Sequence, residues 1–193
     1  MNPNTWGPYG WYFLHALTFA YPMNIKEEDK SRMINFINLF KELIPCDNCK
    51  KNFRNHLIKY PLTDDILSSR QTLIIWMLNI HNEVNKITRK PQYLESDLRD
   101  KFSYINTRNP LVIHTNSLLF FKYILLNLPF TPNYQDKNRL NDFFEILKYI
   151  YPNFECRAAY KNALEKYDFE KYTTNRELIL SWYQLIYDDI LQK

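Results

Sequence analysis

The chain has 193 residues, room for one generous domain or two small ones, and its 46% hydrophobic and 17% aromatic content excludes a disordered protein. Its net charge of +4 is spread along the sequence with no basic block interleaved with aromatics, which argues against nucleic-acid binding. With only 2 glycines a phosphate-cradling glycine-rich turn is excluded, and no apolar run approaches the length of a membrane span.

The pattern throughout is helical, so an all-α fold is predicted. Thr5-Trp6-Gly7-Pro8-Tyr9-Gly10-Trp11 holds both glycines. Trp11, Leu14, His15 and Thr18 then recur at helical spacing, predicting a helix from Pro8 to about Ala20. It stops at Tyr21-Pro22, because a residue before proline avoids the helical region. His15 on this apolar face reads either as a hydrogen-bonded core histidine or as a functional group. A second helix is predicted from Glu27 to Ile44, with acidic residues in its first turn and a stripe of Met33, Phe36, Ile37, Phe40 and Leu43.

Ile44-Pro45-Cys46-Asp47-Asn48-Cys49-Lys50 carries two of the three cysteines. Proline suits a helix start, and Phe53 and Leu57 follow on one side, so a helix is predicted from here to about Lys59. Cys46 then lies at a helix N-terminus, where the dipole, helped by Lys50, Lys51 and Arg54, favours a thiolate. On the motif alone three readings stay open: a redox dithiol, half of a zinc site completed by histidines such as His56, or no role. Ser68 or Ser69 caps a long helix to about Thr88, buried along Leu73, Trp76, Met77, Ile80, Val84 and Ile87. On it His81 and Asn85 share a face, as do Asn82 and Lys86. That arrangement suits either a planar, partly polar ligand or a solvated flank.

Taken in order, Trp6-Gly7 with Trp11, Leu14 and His15, then Tyr21-Pro22, Pro45-Cys46 with Cys49, Ser69-Arg70 with Trp76, His81-Asn82 with Val84-Asn85, and Arg89-Lys90-Pro91 with Tyr93, resemble the Erv/ALR family of FAD-linked sulfhydryl oxidases. The resemblance covers residues 5 to about 95. It implies a four-helix-bundle flavin domain that oxidises dithiols to disulfides and passes electrons through FAD to O2, giving H2O2. By that resemblance Cys49 lies against the flavin and Cys46 faces the incoming thiol. Trp6, Gly7, Trp11, His15, Phe53, Trp76, His81, Asn82, Val84, Asn85, Lys86, Lys90 and Tyr93 are assigned to the cofactor, with Lys86 and Lys90 on its pyrophosphate, and no metal site is assigned. Protein dithiols or a thioredoxin-like disulfide carrier are the implied substrates. The family's frequent dimerisation implies a homodimer. An Erv-like module serving only assembly is the alternative. Met77 stands where family members often carry a cysteine, and no second cysteine pair remains to act as a shuttle. The N-terminus lacks the pattern of a secretory signal, so the expected setting is the cytoplasm, or the virion or factory of a large DNA virus, since such viruses carry Erv-like oxidases.

The second half repeats the first. At one offset of 107, Phe13 meets Phe120, Pro22 meets Pro129, Asp29-Lys30 meets Asp136-Lys137, Arg32 meets Arg139, Phe36 meets Phe143, Pro45 meets Pro152, Cys49 meets Cys156 and Tyr60 meets Tyr167. With one residue removed, Arg70 meets Arg176 and Trp76 meets Trp182. The chemistry is lost: Gly7 becomes His114, His15 becomes Lys122, Cys46 becomes Asn153, and His81, Asn82 and Asn85 become Tyr187, Asp188 and Leu191. The expectation is an FAD-binding domain over residues 1–95 and a degenerate Erv-like bundle without cofactor over 96–193. The two are joined by a polar linker from about Leu94 to Pro110, and the second half docks where another subunit would. Cys156 is expected as a remnant, buried or open to an intermolecular contact.

Overall fold

A computed structural model describes residues 1–191, and these form ten α-helices with no strand among them. The first half comprises α1 (Pro3–Phe19), α2 (Glu27–Leu43), α3 (Asp47–Lys59), a single turn α4 (Asp64–Leu67) and α5 (Arg70–Ile87). Asn2 caps α1 by accepting from Asn4 N at 2.9 Å, and Pro3 occupies the first turn, so the helix begins there rather than at Pro8. Pro8 lies inside it. Gly7 has no Cβ to meet the proline ring, which lets the backbone stay helical through that step. Ser69 caps α5.

Residues 94–110 were expected as a polar linker. They instead form α6 (Glu95–Phe102) and a 3₁₀ turn, Ile105–Thr107, and bury Leu98, Phe102 and Ile105. The Phe102 ring packs 5.2 Å from Tyr12 and 5.8 Å from His15, closing the flank of α1. The apolar spacing of these three residues outweighs the charges between them.

The second half is α7 (Pro110–Leu126), α8 (Tyr134–Ile150), α9 (Phe154–Lys166), a 3₁₀ turn Phe169–Tyr172, and α10 (Arg176–Leu191). α7, α8 and α9 start 107 residues after α1, α2 and α3 and have the same lengths. Individual contacts repeat too. Trp76 Nε1 donates to Tyr60 O at 2.9 Å, and Trp182 Nε1 donates to Tyr167 O at 2.9 Å. Lys59 pairs with Glu83 at 2.9 Å, and Lys166 with Asp189 at 2.8 Å.

Counterpart packs on counterpart: α1 lies against α7 and α2 against α8. Phe13 touches its own counterpart Phe120 at 6.1 Å, and Phe36 touches Phe143 at 5.9 Å. Self-pairing of this kind marks a two-fold interface, here within one chain. Gly10 makes the approach possible, since a Cβ there would come within 3.0 Å of the Phe120 ring.

Candidate active site

Cys46 is the N-cap of α3, in extended conformation, and its Sγ accepts from Cys49 N at 3.2 Å. The two cysteines form a disulfide with Cα atoms 5.1 Å apart, and both are half-buried. At 3.6 residues per turn, Cys49, Phe53 and His56 fall on one stripe of α3 and Asp47, Lys50 and Arg54 on the next. The first stripe is the inward one: Phe53 and His56 are buried, and the Phe53 ring meets Phe40 edge-on at 5.2 Å. Cys49 therefore points toward the core side of the helix, while Cys46 sits at its open end. The cations expected to assist the thiolate are partly engaged elsewhere. Lys50 pairs with Asp47 at 3.4 Å, and Arg54 grips Glu42. What remains for the sulfur is mainly the helix N-terminus itself.

A second cluster joins α1 and α5. His15 Nε2 and His81 Nδ1 are 2.7 Å apart and share one hydrogen. Burial holds both rings neutral, His15 well below its ordinary range and His81 down to about 3; the charges of His81 and Lys101 add to the effect on His15, and those of Lys90 and Lys101 to the effect on His81. Trp11 stacks on His81 with ring centroids 3.8 Å apart, and Tyr93 leans on the same imidazole at 5.1 Å. The amide of Asn82 both donates to Tyr93 O and accepts from Tyr93 N, each at 2.9 Å. Asn85 Nδ2 donates to Pro91 O at 3.0 Å, and Asn85 O accepts from Lys90 N at 2.8 Å. These two asparagines, expected to bond a ligand directly, use their side-chain amides to fold residues 90–93 back over α5. Their effect on the site is to place Tyr93. Arg89 takes a left-handed φ of 56° at that turn.

The remaining expected residues divide. Trp76 is buried and commits its N–H to Tyr60 O, and Trp182 makes the same bond to Tyr167 O in the second half. Trp6 is buried against Phe120 at 6.1 Å with its Nε1 unpartnered. Val84 is half-buried on α5. Lys86 pairs with Glu83 at 3.0 Å, and Lys90 reaches Asn4 Oδ1 at 3.4 Å across the start of α1. Gly7 is buried, yet a Cβ built on it meets nothing within 4 Å.

That open space beside Gly7 lies one helical turn from Trp11, on the same face of α1, and Lys90 crosses near it to Asn4. With the unpartnered His15 Nδ1 and the rings of Trp11, His81 and Tyr93, it makes a cradle of aromatic surface, a buried polar atom and peripheral lysines. Such a donor set fits a flavin dinucleotide: flat rings for the heterocycles, and ammonium groups for the phosphates. In the second half His114 occupies the position of Gly7, and its ring fills the space, bonding Tyr151 OH at 3.1 Å.

His56, named from the sequence only as a possible zinc ligand, is buried with Nε2 unpartnered, on the Cys49 stripe. Phe102 was hidden in the expected linker. Cys156, in the place of Cys49, is fully buried, and burial pushes its thiol up to about 12. Asn153, in the place of Cys46, caps α9 and donates to Ile105 O and Asn106 O. Among the described residues no three His, Cys, Asp or Glu side chains gather as a metal site, and no helix is long and apolar enough to cross a membrane.

Residues 8–103 match the Erv1 / Alr family. The chain is 50% identical over 90 residues to a probable FAD-linked sulfhydryl oxidase of Acanthamoeba polyphaga mimivirus, covering 47% of this chain and 63% of that protein. It is 33% identical over 87 residues to the mitochondrial FAD-linked sulfhydryl oxidase of Saccharomyces cerevisiae, covering 45% of this chain and 44% of that one. To an FAD-linked sulfhydryl oxidase of African swine fever virus it is 37% identical over 87 residues, 44% of this chain and 69% of the relative. The chain thus spans less than two thirds of the length of the mimivirus and yeast relatives.

Proposed function

The chain belongs to the Erv1 / Alr family, and from that membership we propose that it is an FAD-dependent sulfhydryl oxidase that forms disulfides in protein dithiols through Cys46 and Cys49. The observation that carries this reading is the Cys46–Cys49 disulfide at the N-terminus of α3, with its inner sulfur on the buried stripe.

A substrate thiolate attacks Cys46 Sγ. The Cys46–Cys49 bond breaks, and Cys49 leaves as a thiolate, eased by the positive end of α3. A second substrate thiolate attacks the mixed disulfide and expels the Cys46 sulfur, so the substrate departs oxidised and the chain holds a dithiol. Bound FAD supplies the acceptor for that electron pair and the route to O2, yielding H2O2. Gly7, Trp11, His15, His81 and Tyr93 would hold the cofactor's rings, and Lys86 and Lys90 its phosphates. The neutral His15–His81 pair offers hydrogen bonds without a fixed charge. Asn82 and Asn85 act one step removed, by keeping Tyr93 in place.

We read residues 96–193 as a worn copy that holds no FAD. His114 at the Gly7 position and Asn153 in place of the attacked sulfur support this. Because the copy covers α1 and α2, a homodimer through that same face is not expected, and the pair of halves stands in for one. Electrons reach Cys46 directly from protein thiols or from a disulfide carrier. We carry the cytoplasm, or the virion or factory of a large DNA virus, as the setting of this reading.

The test is an absorption spectrum of the purified protein, then oxygen uptake on adding dithiothreitol, with Cys49→Ser alongside. A flavin spectrum in both proteins and uptake in the wild type alone is the expected result. A colourless wild type that consumes no oxygen even with added FAD would reject the reading and leave an assembly module.

A further inference from the structure

A cleft of about 280 Å³ opens between the two halves, and Asp47, the residue after Cys46, lies on its lining. One wall is the end of α2 and the outer stripe of α3, with Glu42, Asp47 and Lys50. The other is the turn after α7 and the start of α8, with Asn127, Pro129 and Arg139. On the α3 wheel this outer stripe adjoins Cys46, while Cys49 is turned inward. A thiol carried along the cleft therefore meets Cys46 first.

The two-fold relation of the halves supplies an internal comparison. On the opposite side of the molecule the counterparts of Arg139 and Glu42 are Arg32 and Tyr149. There the guanidinium lies 4.7 Å from the tyrosine ring centroid, so a cation–π contact bridges α2 to α8. On the Cys46 side the tyrosine is replaced by Glu42, which turns to Arg54 of its own half, while Arg139 keeps with Asp136 at 3.4 Å the ion pair that Arg32 makes with Asp29 at 3.5 Å. The cation–π bridge is thus present where Asn153 has replaced the attacked sulfur and absent where Cys46 remains.

We propose that this cleft is the docking groove for the protein substrate, and that the second half serves the reaction as its far wall. This rests on the oxidase reading. The charges on the rim are neutralised pairwise: Lys50 with Asp47, Arg54 with Glu42, Arg139 with Asp136. A strongly charged segment finds no free counter-ion there. The occupant is an extended, uncharged stretch around a cysteine, resting on Pro129 and the apolar floor of Leu43 and Leu128.

The experiment uses the full FAD-loaded chain and two variants on opposite walls. Glu42→Tyr transplants the residue that bridges the other side, and Asn127→Trp fills the groove from the second half. Each is assayed for oxygen uptake with dithiothreitol and with reduced, unfolded ribonuclease A, after its flavin spectrum and melting temperature are matched to wild type. In either variant the kcat/KM for the protein, relative to that for dithiothreitol, falls by about five-fold or more, mostly through KM. A ratio within about two-fold of wild type in both properly folded variants overturns the groove. A wild type that oxidises neither thiol overturns the oxidase reading and the groove with it, and the dithiothreitol control tells the two failures apart.

Discussion

His114 offers a direct probe of how the second half is held together. Its ring is 4% exposed and bonds Tyr151 OH at 3.1 Å, and burial holds it down to about 4. Its unfolded value is about 6.5. Below that pH the unfolded chain binds a proton that the folded chain refuses, so acid drains stability. The contribution is intact above about pH 6.5, and the loss is complete once pH falls below the folded value. At about 1.4 kcal/mol per pH unit, the loss between pH 7.5 and pH 5 is ~2 kcal/mol. His114→Asn retains a polar atom near Nδ1 for Tyr151 but does not titrate. Urea unfolding of both proteins at several values across that range gives the difference in stability directly. The wild type's lead over the variant, whatever its size at pH 7.5, should shrink by ~2 kcal/mol on reaching pH 5. Parallel curves would mean that the imidazole is protonated as easily folded as unfolded, and would refute the burial argument. His15 and His81 act with the same sign, so the wild type as a whole should lose more over the same interval than His114 alone accounts for.

Other expectations are simpler. Gly10→Val should destabilise the protein by about 1–3 kcal/mol in urea unfolding, because the added atoms meet the Phe120 ring where even a Cβ comes within 3.0 Å. Cys156 should resist an aromatic disulfide reagent in the native protein and react on unfolding, since its thiol is buried and held near 12; prompt labelling in buffer would contradict that placement. Trp76→Phe and Trp182→Phe each leave a tyrosine carbonyl unpaired, and thermal unfolding should show similar losses of about 1–3 kcal/mol for both. A cost confined to one of them would break the equivalence of the halves.

Helix content, order and most boundaries were legible because they depend on local chemistry. Prolines at 22, 45 and 61, the Ser69 cap and the apolar stripes act within a turn or two of themselves. The start of α1 was misjudged because Pro8 reads as a first-turn residue, whereas Asn2 and Pro3 already supply cap and first turn and Gly7 removes the clash. The 94–110 segment was misjudged because its charges outnumber Leu98, Phe102 and Ile105, and burial is decided by what those three residues face.

The cysteine pair, the histidines and the 107-residue offset between matching positions were written in the sequence, since spacing along a helix fixes which residues share a face and an offset between matches needs no coordinates. How the amides of Asn82 and Asn85 are used was not, because a side chain's partner depends on which backbone folds back to meet it. Nor was the space beside Gly7, the shared hydrogen between His15 and His81, or the cleft next to Cys46. Each arises between segments far apart in the chain, where only the packing of α1 on α5, and of one half on the other, decides what touches what.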